Sequence, residues 1–402
     1  MNILLEGGNP LVERSSIFCR NKMLNETKAD YAISLDDDAH FITENPLEYI
    51  QNHFEENADC GLLALRIFWG LEEPVSNSFN EKSEFNLDAK FLSEWQSAKK
   101  KLILVGELLP NAIEQKYIES LAKDKSVLVL LEKTSNLHHP TFIDRIDTLI
   151  STFSEDEKLN FQPDILLTFG GMVVSKRIKS LLRNYQPKQH WHIDEIRAYD
   201  TFGCLSQHFQ TNSTSFLSQL VVENNLITSD YQHDFQTIWQ DRLVKHEKYM
   251  SEIPFSDFKV FDFLSRNLPE NIQLQVSNSS PIRYLQLVAL PKSIEVFSNR
   301  GTSGIDGSTS TAIGAAVANK KPTIFVTGDI SFLYDSNALW NNYIPKHFKI
   351  ILINNSGGGI FRILPGHEET ETFNTFFETS HHLTAEHLAK MYAFDYTSVQ
   401  DD

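Results

Sequence analysis

The amino-acid sequence predicts an α/β protein with two parallel-sheet, three-layer α/β domains that follow a small α/β fragment. Two observations favour this fold class. Short runs rich in Val, Ile, Leu and Phe alternate with amphipathic stretches long enough for helices, which is typical of βαβ units with parallel strands. This alternation occurs twice. It predicts a central domain over residues 98–230 and a second domain over residues 256–402, joined by a linker helix over residues 231–255.

The central domain is expected to contain four strands and two intervening helices. The expected strands are KLILVGEL, SVLVLLE, DILLTFGG and QHWHID. The expected helices are NAIEQKYIESLAKD and SKRIKSLLRNY. VGELLPN holds a single glycine rather than a Gly-x-Gly-x-x-Gly fingerprint, so we expect no bound dinucleotide.

The second domain is expected to alternate helix and strand throughout. Its expected helices cover 256–267, 281–289, 309–318 and 332–342. Its expected strands are IQLQVSN, IEVFSN, PTIFVTG and KIILINN. Residues 73–97, ahead of both domains, are polar and lack a clear period, which predicts a linker.

Composition restricts the function classes. The chain has 402 residues and a formal net charge of −17. Because no run of Lys or Arg offsets this charge, we expect neither a nucleic-acid nor a membrane partner. Cys19, Cys60 and Cys204 are too widely spaced for a disulfide framework or a zinc site. A signal-like segment and an apolar run of about 18 residues are both lacking, so we expect a cytoplasmic protein.

Polar residues follow two strands of the second domain. PTIFVTG ends at Gly328 and is followed by Asp329, and KIILINN is followed by a glycine-rich turn that contains Gly357. Parallel strands should bring these two loops together at the carboxyl edge of the sheet. There Asp329 offers a carboxylate oxygen, Asn355 an amide oxygen, and Gly357 a backbone carbonyl freed by the turn. Three such oxygens suit Mg²⁺, which prefers phosphate oxygens as its remaining ligands.

Each loop also has an ordinary explanation. Gly-Asp is typical of a helix N-cap, and Asn-Asn-Ser-Gly-Gly is typical of a turn. Their combination at this spacing resembles the diphosphate-binding signature of thiamine diphosphate enzymes. Gly328 belongs to the same cofactor-binding loop, in which the backbone N–H groups of Ile330 and Ser331 are expected to bind phosphate oxygens.

A third glycine-rich loop, SNRGTSGIDGSTSTAIGAA (298–316), follows another expected strand and opens another helix. Together with NSSPIR (278–283), GDISFLYDSNAL (328–339) and NNSGGGIFRILPG (354–366), it resembles the 2-succinyl-5-enolpyruvyl-6-hydroxy-3-cyclohexene-1-carboxylate synthases, a thiamine diphosphate-dependent family of the menaquinone pathway. The resemblance covers roughly residues 74–402.

The resemblance implies the cofactors and the reaction. Asp329, Asn355 and Gly357 would bind Mg²⁺ (or Mn²⁺) and through it thiamine diphosphate, with Ile305 as the apolar wedge between the two cofactor rings. The implied reaction decarboxylates 2-oxoglutarate and adds the cofactor-borne succinic semialdehyde carbanion to isochorismate. The family's proton-relay glutamate lies in a pyrimidine-binding domain that nothing upstream of residue 74 resembles, so no catalytic acid or base is expected in this chain.

Both implied substrates carry carboxylates, which Arg and Lys bind well. The substrate-binding positions of the family match Lys176, Arg177, Ser279, Arg283, Arg300, Ile360, Phe361 and Leu364. The last three would form an apolar wall beside the reacting carbon. By pattern alone, the Lys-Arg pair is more typical of a solvated helix face, and the apolar trio is more typical of ordinary core. We assign no role to His190, His192, His381, His382 and His387.

The resemblance also concerns the assembly. In this family the cofactor sites form between subunits, which implies a homodimer or homotetramer for the intact enzyme. Family members continue past TAEHLAKMYAF into a further strand and helix, so we expect a C-terminally truncated second domain. Because nothing in this chain resembles the pyrimidine-binding domain, we also expect it to be inactive alone.

Residues 1–72 resemble a different family. NKMLNETKADYAISLDDDAHFITENPLEYIQNHF is similar to the middle of a GT-A, family-2-like glycosyltransferase, which would make Asp36, Asp37 and Asp38 metal ligands of a nucleotide-sugar site. An acidic helix cap would explain the three aspartates equally well. The fragment lacks the nucleotide-binding start of that fold, so we expect a chimera joined near residue 73 and no glycosyl transfer.

Two alternative functions stay open. One is another thiamine diphosphate decarboxylase or carboligase, similar to acetolactate synthase, and the other is a non-catalytic remnant that binds cofactor or a partner chain. Substitution of Arg283 and Arg300 would separate the first from the leading hypothesis, and calorimetry with cofactor would separate binding from its absence.

Overall fold

A computed structural model describes residues 85–221, 227–363 and 370–400. The fragment over residues 1–72, with its three aspartates, and Leu364 lie outside the described residues. Residues 84–402 form one compact unit that contains two parallel β-sheets. The predicted α/β class with parallel sheets is confirmed. Among the helices in the described part of the chain, none combines the length and the apolar character needed to cross a bilayer.

The first sheet has five parallel strands in the order β2-β1-β3-β4-β5. These strands are β1 (Lys101–Val105), β2 (Val127–Leu131), β3 (Ile165–Phe169), β4 (Gln189–Ile193) and β5 (Leu205–Phe209). Every residue of β1, β2 and β3 is buried. Alternate side chains of these strands belong to two separate hydrophobic clusters, as expected for a sheet covered by helices on both faces.

Seven α-helices and one 3₁₀ turn accompany the first sheet in the described ranges, and the last of these helices is long and leads to the second sheet. They are α1 (Ala89–Ser97), α2 (Gln115–Lys123), α3 (Ile146–Ile150), α4 (Glu155–Phe161), α5 (Lys176–Asn184), α6 (Ser213–Leu220), α7 (Tyr231–Glu252) and a 3₁₀ turn (Lys133–Ser135). The predicted linker helix is α7. Its first half packs on the sheet through Tyr231, Phe235 and Trp239, which are buried in one of the two hydrophobic clusters.

The expected linker over residues 73–97 is wrong for residues 85–97, which contain α1. The Asp88 side chain caps this helix by accepting a hydrogen bond from the Lys90 N–H (2.7 Å). Trp95 is buried, and Phe91 packs edge to face on Trp191 with ring centroids 5.4 Å apart. The stretch is mostly polar, so the helical spacing of its few apolar residues was not recognised in the sequence. Strand β5 and helices α3, α4 and α6 were also missed by the sequence analysis.

The second sheet has four parallel strands in the order β7-β6-β8-β9. They are β6 (Gln273–Val276), β7 (Glu295–Ser298), β8 (Thr323–Gly328) and β9 (Phe348–Ile353). The accompanying helices are α8 (Asp257–Asn267), α9 (Ser280–Leu285), α10 (Ser308–Ala318), α11 (Asp329–Tyr334) and α12 (Glu386–Met391). The helix expected over 332–342 instead begins at Asp329 and continues as a 3₁₀ turn over Ser336–Trp340.

Asn136 connects the two sheets. Its side-chain Nδ2 donates to the Val296 carbonyl (3.1 Å), and its Oδ1 accepts from the Val296 N–H (2.7 Å). The amide therefore pairs with the outer strand β7 as a neighbouring strand would. The Lys133 N–H donates to Gln286 Oε1 (3.0 Å) beside it. These contacts place the carboxyl edge of the first sheet next to residues of the second.

Candidate functional site

The two polar loops predicted to meet do lie at adjacent strand ends. Strands β8 and β9 are hydrogen-bonded neighbours, with Gly328 opposite Ile353 in the register. Asp329 begins α11 directly after β8. The Gly357 N–H donates to Asp329 Oδ2 at 3.0 Å, so the two loops are in direct contact. The juxtaposition inferred from the parallel arrangement is therefore present.

Asp329 is a buried carboxylate with an exposed fraction of 4 %. Its Oδ1 accepts from the Ile330 N–H at 2.7 Å, while Oδ2 faces the Gly357 loop. Burial raises the pKa of Asp329, and the N–H groups of Ile330 and Gly357, together with His381, act in the opposite direction. A carboxylate whose charge is disfavoured by burial is one that a bound cation would stabilise. The Ile330 N–H, expected to bind phosphate, is engaged by Asp329 in this structure.

Asn355 presents a buried amide oxygen beside the glycine-rich turn. Its Oδ1 is buried and makes no hydrogen bond to the described residues, whereas its Nδ2 donates to Asp257 Oδ2 at 2.7 Å. A buried acceptor without a donor costs about 1–3 kcal/mol, and a ligand that supplies positive charge would remove that cost. The predicted metal-ligand position of Asn355 therefore fits a hard cation.

Gly357 adopts a conformation that favours glycine. Its φ is +152°, and a Cβ at this position would lie 2.9 Å from the Glu378 carbonyl oxygen. The sequence predicted a free carbonyl at Gly357. In the structure this carbonyl instead accepts a hydrogen bond from the Gly359 N–H at 2.9 Å. A carbonyl oxygen has two lone pairs, so one stays available. A carboxylate, an amide oxygen and a carbonyl together form the all-oxygen donor set that Mg²⁺ accepts.

A returning segment over residues 378–383 covers the glycine-rich turn. The Gly358 N–H donates to the Glu378 carbonyl at 2.6 Å, and the His381 N–H donates to the Ser356 carbonyl at 3.1 Å. The Glu378 carboxylate forms an ion pair with Arg362, whose Nε lies 2.8 Å from Oε1. This segment therefore holds the turn in the shape that faces Asp329.

His381 is a site residue that the sequence analysis missed. Its Nε2 lies 3.2 Å from Asp329 Oδ2, and the side chain is 10 % exposed. No local pattern could have indicated it, because the contact depends on how the segment over residues 378–383 returns to the strand end.

The loop that contains Ile305 lies beside α11. The Ser331 hydroxyl donates to the Ile305 carbonyl at 2.5 Å, which joins two residues expected to contact the cofactor. Asn278 fixes the same loop by donating to the Gly304 carbonyl at 2.6 Å and accepting from Arg300 Nη1 at 2.9 Å. Asn278 is buried and was not singled out in the sequence. The role of Ile305 as a wedge stays a prediction.

Several predicted cations converge between the two sheets. Arg300 is buried, with an exposed fraction of 7 %. Burial lowers the pKa of Arg300, while Glu132 and Glu107 oppose this shift. Burial also lowers the pKa of Arg283, and the charge of Arg300 lowers it further. The carboxylate of Asp147 raises it and so opposes both effects. Because Arg300 lowers the pKa of Arg283, the two guanidinium groups lie close enough for their charges to interact, and such a pair of cations is suited to binding an anion.

The other expected substrate residues lie on nearby elements. Lys176 and Arg177 lie at the start of α5, as predicted, and both are exposed. Their role in substrate binding stays a prediction. Ser279 precedes α9 with a φ of +73°, and its carbonyl accepts from Arg283 Nη1 at 2.7 Å. Ile360 and Phe361 are half-buried in a 3₁₀ turn over Gly359–Ile363, which follows the glycine-rich turn.

Glu132 is a second residue that the sequence analysis missed. It is 1 % exposed, and its Oε1 accepts from the Val174 N–H (2.9 Å) and the Ser175 N–H (3.0 Å). These amides immediately precede α5, so Glu132 fixes the position of the helix that begins with Lys176. Burial raises the pKa of Glu132 to about 7.

Two histidines of β4 lie in a buried polar network of the first sheet. His190 Nε2 and His192 Nδ1 are 2.9 Å and 2.8 Å from the Thr168 hydroxyl. Burial lowers the pKa of His190 to about 4, and His192 contributes to the shift. His190 is therefore neutral at physiological pH.

Two family models match the chain. The model described as the middle domain of thiamine pyrophosphate enzymes matches residues 63–276. The model described as the thiamine pyrophosphate enzyme, C-terminal TPP binding domain, matches residues 282–401. The second match contains Asp329, Asn355 and Gly357, which the structure brings to adjacent strand ends.

Curated relatives named 2-succinyl-5-enolpyruvyl-6-hydroxy-3-cyclohexene-1-carboxylate synthase are similar in sequence. That of Flavobacterium johnsoniae is 56 % identical over 334 residues, which cover 82 % of this chain and 60 % of the relative. That of Flavobacterium psychrophilum is 60 % identical over 317 residues, covering 79 % and 58 %. That of Bacteroides fragilis is 36 % identical over 307 residues, covering 75 % and 54 %.

The chain thus spans about three fifths of the length of the curated relatives it matches. The middle-domain model alone covers more than half of the chain. Two family models, matched in order along residues 63–401, agree with the resemblance found in the sequence motifs. On this basis, the chain belongs to the thiamine pyrophosphate enzymes.

Proposed function

We propose that this chain supplies the central and diphosphate-binding domains of a thiamine diphosphate-dependent synthase of menaquinone biosynthesis, which decarboxylates 2-oxoglutarate and joins the remaining succinic semialdehyde unit to isochorismate. The observation that carries the proposal is the contact of buried Asp329 with the Gly357 N–H of the loop at the adjacent strand end. That loop also contains Asn355, whose buried Oδ1 accepts no hydrogen bond from the described residues. The name that the curated relatives share supports the choice of reaction.

The proposed metal is Mg²⁺ or Mn²⁺. Asp329, Asn355 and Gly357 would hold it through oxygen atoms, which suit a hard cation that keeps open positions for phosphate. The Ser331 N–H, beside Gly328 and near the Ile305 loop, would donate to the diphosphate. Bound thiamine diphosphate would supply the electron sink that decarboxylation of a 2-oxo acid needs.

The cations between the two sheets would bind the substrate carboxylates. Arg283 and Arg300 are partly or fully buried, so their charges act in a medium of low polarity where each contact is strong. Lys176 and Arg177 would add charge from the start of α5, which Glu132 fixes. Ile360 and Phe361 would form the apolar wall beside the reacting carbon, with Leu364 as its third member.

The assembly is also part of the proposal. In the family that the sequence motifs resemble, the cofactor sites form between subunits, and this supports a homodimer or homotetramer for the intact enzyme. The compartment we propose is the cytoplasm. A pyrimidine-binding partner would be needed for turnover. Substantial turnover by the purified chain without an added partner would contradict this part.

Calorimetry of the purified full chain tests the cofactor site. Titration with Mg²⁺ and thiamine diphosphate together should show saturable binding. Asp329→Ala should weaken that binding about a hundredfold or more, because it removes the charged ligand. Asp262→Ala is the matched control, since Asp262 pairs with Arg266 on α8 and lies outside the proposed ligand set. Equal binding by both variants would contradict the proposal.

A further inference from the structure

We propose that Asp257 is a positioning residue that determines which end of the Asn355 amide faces the metal site. The inference rests on the proposed function, because it concerns the orientation of one of the proposed ligands. It adds a residue from α8, an element that none of the sequence motifs touches.

The contact that carries the inference is short and direct. Asn355 Nδ2 lies 2.7 Å from Asp257 Oδ2. Asp257 is the first residue of α8, after the N-cap Ser256. This helix is anchored by Phe261, which is 1 % exposed in the hydrophobic cluster of the second sheet. Asp257 therefore lies on a rigid element.

The chemistry of the two groups permits one orientation. An ionised carboxylate only accepts hydrogen bonds, whereas an amide donates from nitrogen and accepts at oxygen. The Asn355 nitrogen must therefore face Asp257, and the oxygen must point away from it. That oxygen is the buried Oδ1 that makes no hydrogen bond within the described residues.

The reverse orientation would oppose cation binding. The oxygen and nitrogen ends of an amide are nearly equal in size, so packing alone does not distinguish them. Turning the amide would present N–H groups, which carry partial positive charge, to the metal. It would also place two acceptors, Oδ1 and the Asp257 carboxylate, against each other. Asp257 thus selects the ligand atom without touching the metal.

The surrounding charges leave Asp257 available for this contact. Arg362, whose charge interacts with that of Asp257, forms its ion pair with Glu378. In the ranges that the structure describes, Asp257 forms no ion pair within 4 Å. Its carboxylate oxygen is therefore directed to the Asn355 amide rather than to a competing cation.

The experiment measures binding of Mn²⁺ in the presence of thiamine diphosphate by electron paramagnetic resonance, on the full chain. Asp257→Ala should weaken Mn²⁺ binding about 10- to 100-fold, the usual effect of losing a group that orients a ligand. Asp257→Asn should weaken it only about two- to threefold. The amide oxygen introduced there can still accept from Asn355, and the pair then has two orientations of similar energy.

A rescue variant separates orientation from simple structural damage. Asn355→Asp places oxygen at both ends of the side chain, so its orientation no longer matters. The double variant Asp257→Ala/Asn355→Asp should therefore bind Mn²⁺ at least tenfold more tightly than Asp257→Ala alone. Asp262→Ala, on the same helix, is the charge-matched control and should bind as the unaltered chain does. Thermal unfolding without metal verifies that each variant is folded.

The outcomes are distinguishable. Absence of Mn²⁺ binding by the unaltered chain would overturn the proposed function and this inference with it. Binding by the unaltered chain that Asp257→Ala leaves unchanged would overturn the inference alone. An Asp257→Asn variant as weak as Asp257→Ala, or a double variant without rescue, would show that the charge of Asp257 matters rather than its orienting hydrogen bond, and would also overturn it.

Discussion

At the carboxyl edge of each sheet a strand leads into a glycine, but the two edges differ in how closely other atoms approach that glycine. In the first sheet, a Cβ on Gly106, directly after β1, would lie 2.1 Å from the Gly171 carbonyl oxygen. The Gly171 N–H in turn donates to the Glu107 carbonyl at 2.7 Å, so backbone closes this edge. In the second sheet, the nearest atom to a Cβ on Gly328 would be Pro281 Cγ at 3.9 Å. There the equivalent edge is open.

The buried carboxylates at the two edges differ in the same way. Glu132 uses a single oxygen to accept from two successive N–H groups ahead of α5, and so holds its own domain together. Asp329 uses both oxygens to bridge its own helix and the next loop, beside the unpartnered Asn355 Oδ1. One architecture therefore supports two arrangements of a polar strand end, one that holds neighbouring loops together and one that we propose to bind a ligand.

Adding a methyl group to the glycine at each edge tests whether the two edges differ in free space. Gly106→Ala should lower the free energy of unfolding by about 3 kcal/mol or more, because backbone atoms must separate to accept the Cβ. Gly328→Ala should change it by less than about 0.5 kcal/mol, since the position is open and its φ of −81° suits any residue. Urea denaturation measures both values.

The substitution with the smaller effect on stability, Gly328→Ala, should have the larger effect on ligand binding. Gly328→Ala places a methyl group at the strand end proposed to receive the diphosphate. It should weaken binding of thiamine diphosphate with Mg²⁺ about tenfold or more, equivalent to about 1.4 kcal/mol. A Gly328→Ala variant that binds normally, or a Gly106→Ala variant as stable as the unaltered chain, would remove the distinction between the two edges.

The pH dependence of stability sharpens the account of the first sheet. The pKa of His190 falls to about 4 in the folded protein, so between about pH 6.5 and 4 the unfolded chain binds a proton that the folded protein does not. This effect lowers stability as the pH falls. The pKa of Glu132 rises to about 7, so between about pH 7 and 4.5 the folded protein binds the additional proton. This effect raises stability as the pH falls.

The two contributions are each about 3 kcal/mol and nearly cancel over this window. Glu132→Gln should therefore lose about 3 kcal/mol more than the unaltered chain on going from pH 7.5 to 4, and His190→Gln should lose about 3 kcal/mol less. Denaturant titrations at a series of pH values measure these differences. Parallel pH profiles for all three proteins would contradict the buried, opposite titrations of these two residues.

Much of the fold could be predicted because the buried parallel strands are continuous apolar runs. Short, β-branched-rich runs such as KLILV and IFV, each followed by a helical pattern, favour strands of a covered parallel sheet, and parallel pairing then places the loops after β8 and β9 together. The contact between Asp329 and Gly357 followed from that rule alone. The chemistry of aspartate and asparagine at such an edge completed the expected donor set.

The elements and site residues that were not predicted depend on contacts between distant parts of the chain, which produce no recognisable pattern in the local sequence. Strand β5 is largely half-buried, so its alternation is weak, and α1 carries only three apolar residues on its packed face. His381 and Asp257 reach the site from segments far away in the chain. A lone histidine or a helix-initiating aspartate has many ordinary explanations, and only the folded arrangement shows which atom each one faces.

The most direct test of the central claim is a crystal structure of the full chain with Mn²⁺ and thiamine diphosphate, with the anomalous signal of manganese used to locate the ion. We expect one peak about 2 to 2.5 Å from Asp329 Oδ, Asn355 Oδ1 and the Gly357 carbonyl oxygen. A peak elsewhere, or coordinates that place the oxygens of Asp329 and Asn355 too far apart to share one ion, would contradict the account.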